Sequence, residues 1–166
     1  SEGIEAAMMS GLDSGDLVSI DGSGVAGTFT MTLTASSDLS GVALSGVDAI
    51  CVSFVDDPST TGTGMDESIG TLTMTADQVV AYGGAIDAKD GTITLNVVDM
   101  GDQAIDMAAL VGPNLSIGTV TFVDEAVTVN AATNFGGATS LIIPEDSEVT
   151  MTVAQFETAD SGTGAS

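Results

Sequence analysis

The sequence lacks the residue types on which most enzyme active sites depend. Its 166 residues include no His and no Trp, and Lys89 alone accounts for Lys and Arg together. Without His there is no imidazole base, no Ser-His-Asp triad and no His-ligated zinc site. A single Cys51 builds neither a thiolate metal site nor an intrachain disulfide, and without Arg there is no bidentate clamp for phosphate. We therefore expect that the protein is not an enzyme.

Positive charge is almost absent too. The chain has 24 acidic residues against one basic residue, a formal net charge of -23. Such a chain repels polyanions and anionic lipid surfaces, so the sequence excludes nucleic acid as a partner. No apolar run approaches the roughly 20 residues needed to cross a bilayer, and we expect no membrane insertion.

Three features of the composition favour an extracellular or cell-surface location. They are the scarcity of Lys and Arg, the abundance of Thr, Ser and Gly, and acidic groups able to bind the calcium that is plentiful outside cells. An extreme halophile would also select an acidic surface. We place export first.

Alternating apolar and polar residues dominate what is present. In 28–34 (TFTMTLT) every second residue is apolar, which predicts a strand with one buried face. The same pattern recurs at 70–75, 92–97, 118–123, 126–129 and 148–153, and apolar runs at 17–20, 49–55 and 141–143 also predict strands. Gly, Pro, Asn and Asp separate these segments at short spacing. We expect an all-β protein, an antiparallel β-sandwich or jelly roll, with no evident internal repeat.

Helix is expected only as one or two short turns, in the first dozen residues or at 102–110 (DQAIDMAAL). We divide the chain into an N-terminal segment at 1–16, a sandwich domain at 17–158 and a C-terminal tail at 159–166.

The N-terminal segment SEGIEAAMMSGL is unusually apolar for a chain end. It carries Ile4, Met8, Met9 and Leu12, whereas a loose terminus is normally polar. One interpretation is a donor strand that adds to a neighbouring subunit, with these four side chains as anchors. The alternative is that the segment covers its own core. A mean hydropathy of +0.40 and the need to pair or protect sheet edges favour the donor.

Acidic residues in the expected turns are candidate calcium ligands, because calcium prefers carboxylate oxygens. The candidates are Asp56, Asp57, Asp87, Asp90, Asp99 and Asp102. None forms an EF-hand loop, and Lys89 stands where a ligand between Asp87 and Asp90 would be needed. The alternative for each is a solvated turn. Asn114 begins the sequon Asn-Leu-Ser and is a candidate glycosylation site.

Two stretches resemble cohesin modules, the β-sandwich receptors of cellulosomes and related surface proteins. One runs from 38–42 (DLSGV) to 52–58 (VSFVDDP), and the other joins 90–95 (DGTITL) to 115–122 (LSIGTVTF). The overall profile is also similar to secreted prokaryotic fibre subunits that donate an N-terminal strand. These resemblances imply a sandwich fold and, for the cohesin type, a protein partner at the cell surface.

The sequence thus predicts a structural subunit of an extracellular filament or surface assembly. Its partner is another copy of the same chain, and calcium is the candidate cofactor. Two alternatives remain open, a cohesin-like protein-binding module and a virion or tail structural protein.

Overall fold

The computed structural model describes residues 8–9, 18–53, 69–90, 92–122 and 126–160. The strands in these residues are β1 (Met8–Met9), β2 (Ser19–Asp21), β3 (Thr30–Leu33), β4 (Ser37–Asp38), β5 (Ala43–Ser45), β6 (Ala49–Ser53), β7 (Ile69–Thr75), β8 (Ile86–Asp90), β9 (Thr92–Met100), β10 (Leu115–Phe122), β11 (Val127–Thr128), β12 (Ala138–Ile142) and β13 (Val149–Thr150). The helices are α1 (Ala76–Tyr82) and α2 (Val153–Asp160), with 3₁₀ turns at Gly83–Ala85 and Met107–Ala109.

The strands form four sheets, and all strand pairings are parallel. The order is β1-β3-β6-β8 in the four-stranded sheet and β4-β7-β9-β10-β12 in the five-stranded sheet, with small sheets β2-β5 and β11-β13. Within each sheet the strands follow chain order, so each coil of the chain lays its strand beside that of the preceding coil. The chain is therefore a β-solenoid. The expected antiparallel sandwich or jelly roll is wrong.

The strand register gives the length of a coil. Leu72 lies beside Leu95, Leu95 beside Ile117, and Ile117 beside Ala138, so these partners are 23, 22 and 21 residues apart in the chain. All four side chains are buried, which places one inward-facing row along the solenoid axis. Neighbouring strands in such a sheet are about 4.8 Å apart. The core is thus a stack of similar apolar layers, one from each coil.

Alternation identified the strands but not their pairing. On β9, Ile93, Leu95 and Val97 are fully buried, while Thr94 and Asn96 between them are partly exposed. A solenoid strand has one face inside the coil and one face in water, so it shows the same period of two as a sandwich strand. All nine strand segments inferred from the sequence overlap a strand. The sandwich expectation failed because it assumed hairpin neighbours, whereas the true neighbour lies one coil away.

Two β-bulges interrupt the five-stranded sheet. On β10, Gly118 and Thr119 both face Asn96, and the Asn96 side-chain oxygen accepts a hydrogen bond from the Thr119 backbone N–H at 3.0 Å. A Cβ on Gly118 would collide with Asn96 and would lie 2.6 Å from Thr94 Cγ2, so glycine is required there. The second bulge lies on β9, which has one extra residue there. Asp99 in this bulge has φ 54°, a left-handed conformation that Asp tolerates better than most residues.

The helices differ in part from the expectation. The stretch 102–110 contains the 3₁₀ turn Met107–Ala109, which agrees with a short helical turn there. In the first dozen residues the structure describes Met8–Met9, which is a strand. Both α-helices follow strand-like sequence and were not expected. Each begins after a Thr that is followed three residues later by Gln, an N-terminal capping signal.

Candidate functional site

A repeated motif forms two similar corners of the solenoid. Residues 73–79 (TMTADQV) and 150–156 (TMTVAQF) match at Thr, Met, Thr and Gln. The first corner, which we call the α1 coil, comprises 69–82 (β7 and α1). The second belongs to the terminal coil, 138–160, which comprises β12, β13 and α2.

In the α1 coil the motif closes a capping box and holds a turn of the previous coil. The Thr75 side chain accepts a hydrogen bond from the Gln78 N–H at 3.2 Å, and Gln78 Oε1 accepts one from the Thr75 N–H at 2.9 Å. Gln78 Nε2 donates to the carbonyls of Leu39 at 2.7 Å and Val42 at 2.8 Å. One side chain thus caps its own helix and satisfies two carbonyls of the neighbouring coil.

The terminal coil repeats this arrangement. The Thr152 hydroxyl accepts from the Gln155 N–H at 3.2 Å, and Gln155 Oε1 accepts from the Thr152 N–H at 2.9 Å. Gln155 Nε2 donates to the carbonyls of Asn130 at 2.8 Å and Thr133 at 3.1 Å. The accepting carbonyls are again three residues apart in a turn. Gln155 is only 6% exposed, so these bonds fix α2 to the solenoid.

Matching residues of the two corners differ in what covers them. In the α1 coil, Leu72, Met74 and Val79 are 1%, 0% and 3% exposed. The following coil supplies the cover. Its strand β9 pairs with β7, and the side chains of Leu110 and Val79 both lie close to Gly83. An apolar row at this corner is thus buried by the coil that comes next.

The equivalent residues of the terminal coil are open. Val149 and Met151 correspond to Leu72 and Met74 and are only partly buried, and Phe156, which corresponds to Val79, is 60% exposed. Val153 on the same helix is 73% exposed. The last coil that the structure describes therefore has apolar side chains on its outer side.

The edge of the five-stranded sheet lies on the same coil. Among the described residues β12 pairs with β10 alone, and α2 lies against β12. Ile142 and the following Ile143 are each 47% exposed. Ile142 lies beside Thr121 on the outside of the sheet, so we call Ile143, Val153 and Phe156 the end surface.

Met8 and Met9 lie at the other end of the described coils. Met8 lies beside Thr32 and Met9 beside Leu33, so β1 is the first strand of the four-stranded sheet. Val18, just before β2, is 81% exposed. Ile4 and Leu12, the other two proposed donor anchors, lie outside the described residues.

Hydrogen bonds stabilise a carboxylate at this N-terminal end. The Ser23 side chain, and then the Ser23 backbone N–H at 2.9 Å, hold the pKa of Asp21 below its ordinary value. Asp21 is the last residue of β2, so this turn fixes the chain where the small β2-β5 sheet ends.

The proposed calcium ligands lie partly inside and partly outside the described part of the chain. Asp87, Asp99 and Asp102 are exposed, and Asp90 is described only as a backbone partner of Ser53. Asp56 and Asp57 lie outside the described residues. Within the residues that the structure describes, no three His, Cys, Asp or Glu side chains form a group that could hold a metal ion.

The candidate glycosylation residue is partly buried. Asn114 stands just before β10, and its side-chain Nδ2 donates to the Ala88 carbonyl at 3.2 Å. The side-chain nitrogen that would carry a glycan is therefore engaged with the neighbouring strand β8.

An uncharged row of polar side chains covers the outside of the five-stranded sheet. We call it the threonine face: Thr71, Thr73, Thr94, Asn96, Ser116, Thr119 and Thr121. The Thr94 and Ser116 hydroxyls lie 3.4 Å apart across neighbouring strands. Asp38 of β4 lies beside Thr73 and is partly exposed, so this face carries a carboxylate at its β4 edge.

No protein-family model, curated protein or solved structure matches this chain. In the described residues, no helix is both long and apolar enough to span a membrane.

Sequence reasoning missed the two Gln residues and Phe156. The signal was present, because Thr-Met-Thr-x-x-Gln occurs twice. The repeat was overlooked because Gln78 and Gln155 are 77 positions apart in the chain, and the coils between them do not contain the motif.

Proposed function

We propose that the chain is a structural subunit of an extracellular filament or surface assembly, built by end-to-end association of solenoids. The observation that carries this proposal is the open apolar end surface on the terminal coil. Exposed apolar side chains gathered on one surface mark places where another protein surface packs.

The position of the N-terminal segment supports a contact between opposite ends. Among the described residues, β1 lies at one end of the stack of coils, and β12 and α2 lie at the other. A contact between different ends of two copies does not close on itself by rotation of a pair, so it propagates into a filament. In this arrangement Met8 and Met9 lie at the end that meets the neighbour.

Charge sets the conditions for assembly. Two copies of charge -23 repel each other, and the repulsion is screened over about 8 Å at physiological salt but about 3 Å at 1 M. Association should therefore strengthen with sodium chloride, and calcium should act at lower concentration if carboxylates bind it.

The test is negative-stain electron microscopy of the purified chain in low salt, in high salt, and with calcium or chelator. Filaments of uniform width are expected in high salt, and their loss in chelator would show that calcium takes part. Dispersed particles under every condition would contradict the filament proposal. Deletion of Ser1 to Leu12 should abolish filaments, while continued normal assembly of the truncated chain would contradict a contact through the N-terminal end.

A protein-binding module is the second candidate, and the threonine face favours it. Its hydroxyl groups would offer a protein partner an uncharged hydrogen-bonding surface on this acidic chain, with the Asp38 carboxylate at one edge. Under this alternative the truncated chain keeps partner capture, because the face belongs to β7, β9 and β10. A virion or tail structural protein would share the end contact of the first proposal.

A further inference from the structure

We propose that the threonine face binds the surface of an ice crystal. This inference does not rest on the proposed filament, because the face lies along the side of the stack of coils and uses neither end. It also differs from the protein-binding alternative for the same face, because the ligand is a regular lattice of water. The observation that carries it is the two-dimensional order of uncharged polar side chains across β7, β9 and β10.

The strand register sets the side chains of the face in rows. Thr71 lies beside Thr94, and Thr94 lies beside Ser116. Neighbours within such a row are about 4.8 Å apart, and the next row, two residues further along each strand, is about 6.6 Å away. Oxygen atoms on the prism faces of hexagonal ice repeat at similar distances in two perpendicular directions. The face therefore places its hydroxyl groups over lattice positions in more than one row.

The bulge on β10 keeps the second row polar. In this row Thr73 lies beside Asn96, and Thr119 lies beside Ser140 of β12. Gly118 is buried, whereas Thr119 is partly exposed and donates its backbone N–H to the Asn96 side-chain oxygen at 3.0 Å. Without the extra residue, strict alternation along β10 would turn Gly118 outward and leave a gap. The bulge thus continues the row across four strands.

The side chains of the face are held in place and still have hydrogen-bonding capacity. Threonine is branched at Cβ and stiff at χ1, so its hydroxyl and methyl groups keep their positions. Within the described part of the chain, the hydroxyls of Thr71, Thr73 and Thr121 have no hydrogen-bond partner. Groups fixed before binding lose little conformational freedom on binding. The face is therefore prepared for a rigid, hydrogen-bonding ligand.

Charge complementarity selects an uncharged ligand. The chain has 24 acidic residues, yet the carboxylates nearest the face lie at its borders, with Asp38 on the β4 edge and Asp99 near the end of β9. A carboxylate pays a large cost when it loses its hydration, whereas hydroxyl and methyl groups pay little. A cationic partner would gain from the acidic residues elsewhere but not from this face. The face also has no aromatic ring on which a sugar could stack, so an ordered water surface fits it better than a polysaccharide.

The experiment measures ice binding by the purified chain in low-salt buffer. A single ice crystal is grown slowly from the protein solution, and the protein concentration in the ice is compared with that in the remaining liquid. The difference between the melting and growth temperatures of a small crystal is measured on the same samples, because adsorbed protein stops growth between its binding points. Wild type should be enriched in the ice and should open such a temperature gap.

Lysine substitutions separate the face from the rest of the surface. Thr94→Lys changes the first row, and Thr121→Lys is a second variant on β10. Thr128→Lys is the matched control, because Thr128 is exposed on β11 in a different sheet. All three variants change the net charge equally, and thermal unfolding checks that they fold. Both face variants should lose the enrichment and the temperature gap, whereas the control should keep both.

Three results would overturn the proposal. If growing ice rejects wild type and no temperature gap opens, the face does not bind ice and is left to a protein partner. If folded Thr94→Lys and Thr121→Lys bind ice as wild type does, the ice binds elsewhere on the chain. If Thr128→Lys loses binding together with them, the effect comes from charge in general and not from a site on this face.

Discussion

The α1 coil and the terminal coil contain the same Thr-Met-Thr-x-x-Gln motif with the same set of hydrogen bonds, but they differ in their outer side. In the α1 coil the next layer of the solenoid buries the apolar row, and in the terminal coil the row is partly open. Burial in a solenoid is thus a property of neighbouring coils as much as of the residue itself. The motif forms the local hydrogen bonds of each corner, and the neighbouring coil buries the apolar side chains. Substitutions at the two corners test these two contributions.

The largest expected effect comes from the methionine of each motif. Met74→Ala removes a fully buried side chain and should lower the free energy of unfolding by about 2–5 kcal/mol. Met151→Ala removes a partly exposed one and should cost about 1 kcal/mol, since less apolar surface leaves water there on folding. Urea unfolding of both variants in low salt measures the difference. Equal losses in the monomer would contradict an open terminal coil, whereas equal losses in assembled filaments would support its cover by a second copy.

The Gln side chains should have intermediate and similar effects. Gln78→Ala and Gln155→Ala each leave two carbonyls and one N–H without their partner, which should cost about 1–3 kcal/mol. Gln103→Ala is the control, because the Gln103 side chain bonds only to the Gly101 N–H and the exposed Asp77 carboxylate. Its substitution should shift the urea midpoint less. A smaller loss at Gln155 than at Gln103 would show that α2 is not fixed by this side chain.

The capping threonines should give a smaller, matched pair of effects. Thr75→Ala and Thr152→Ala remove the hydroxyl that accepts the Gln N–H, and loss of such a cap typically costs about 1 kcal/mol. Thr→Ser at either position keeps the hydroxyl and should restore most of the stability. Thermal unfolding monitored by circular dichroism checks both. A clear loss at one corner alone would mean that the two motifs are not equivalent.

The smallest effect concerns Asp21 at the opposite end. Hydrogen bonds from Ser23 lower the pKa of Asp21 in the folded chain, so the ionised form contributes stability above its unfolded pKa of about 3.9. This contribution is lost as the pH falls through the lower folded pKa. Asp21→Asn should therefore reduce the unfolding midpoint slightly at neutral pH and not at all in strong acid. A difference from wild type that grows in acid would contradict this sign.

The strand positions could be predicted because alternation reflects one buried and one wet face, whatever the neighbour. The pairing could not be predicted from alternation, because Leu72 beside Leu95 and Leu95 beside Ile117 leave the same local pattern as hairpin partners would. The coil length was obscured by a longer interval between β6 and β8, where Ile50 lies beside Ile86. The two α-helices were not predicted because each capping Thr is also the last residue of an alternating, strand-like stretch.

The candidate site was predicted less well than the strands. The donor role of the N-terminal segment stays a prediction, and its described residues Met8 and Met9 pair with β3 of their own chain. The end surface around Phe156 was not identified, because a Phe in a short amphipathic stretch gives no sign of whether another layer covers it. The filament, the calcium and the glycan all stay predictions.

Composition and a period of two are local properties, so the amino-acid sequence alone established the acidity, the scarcity of catalytic side chains and the location of the strands. The parallel stacking of the strands, the equivalent roles of Gln78 and Gln155, and the burial of Val79 against the exposure of Phe156 emerge only from the fold. Those facts depend on which coil lies next to which. That order is set by contacts between residues about 20 or more positions apart, and no local pattern records it.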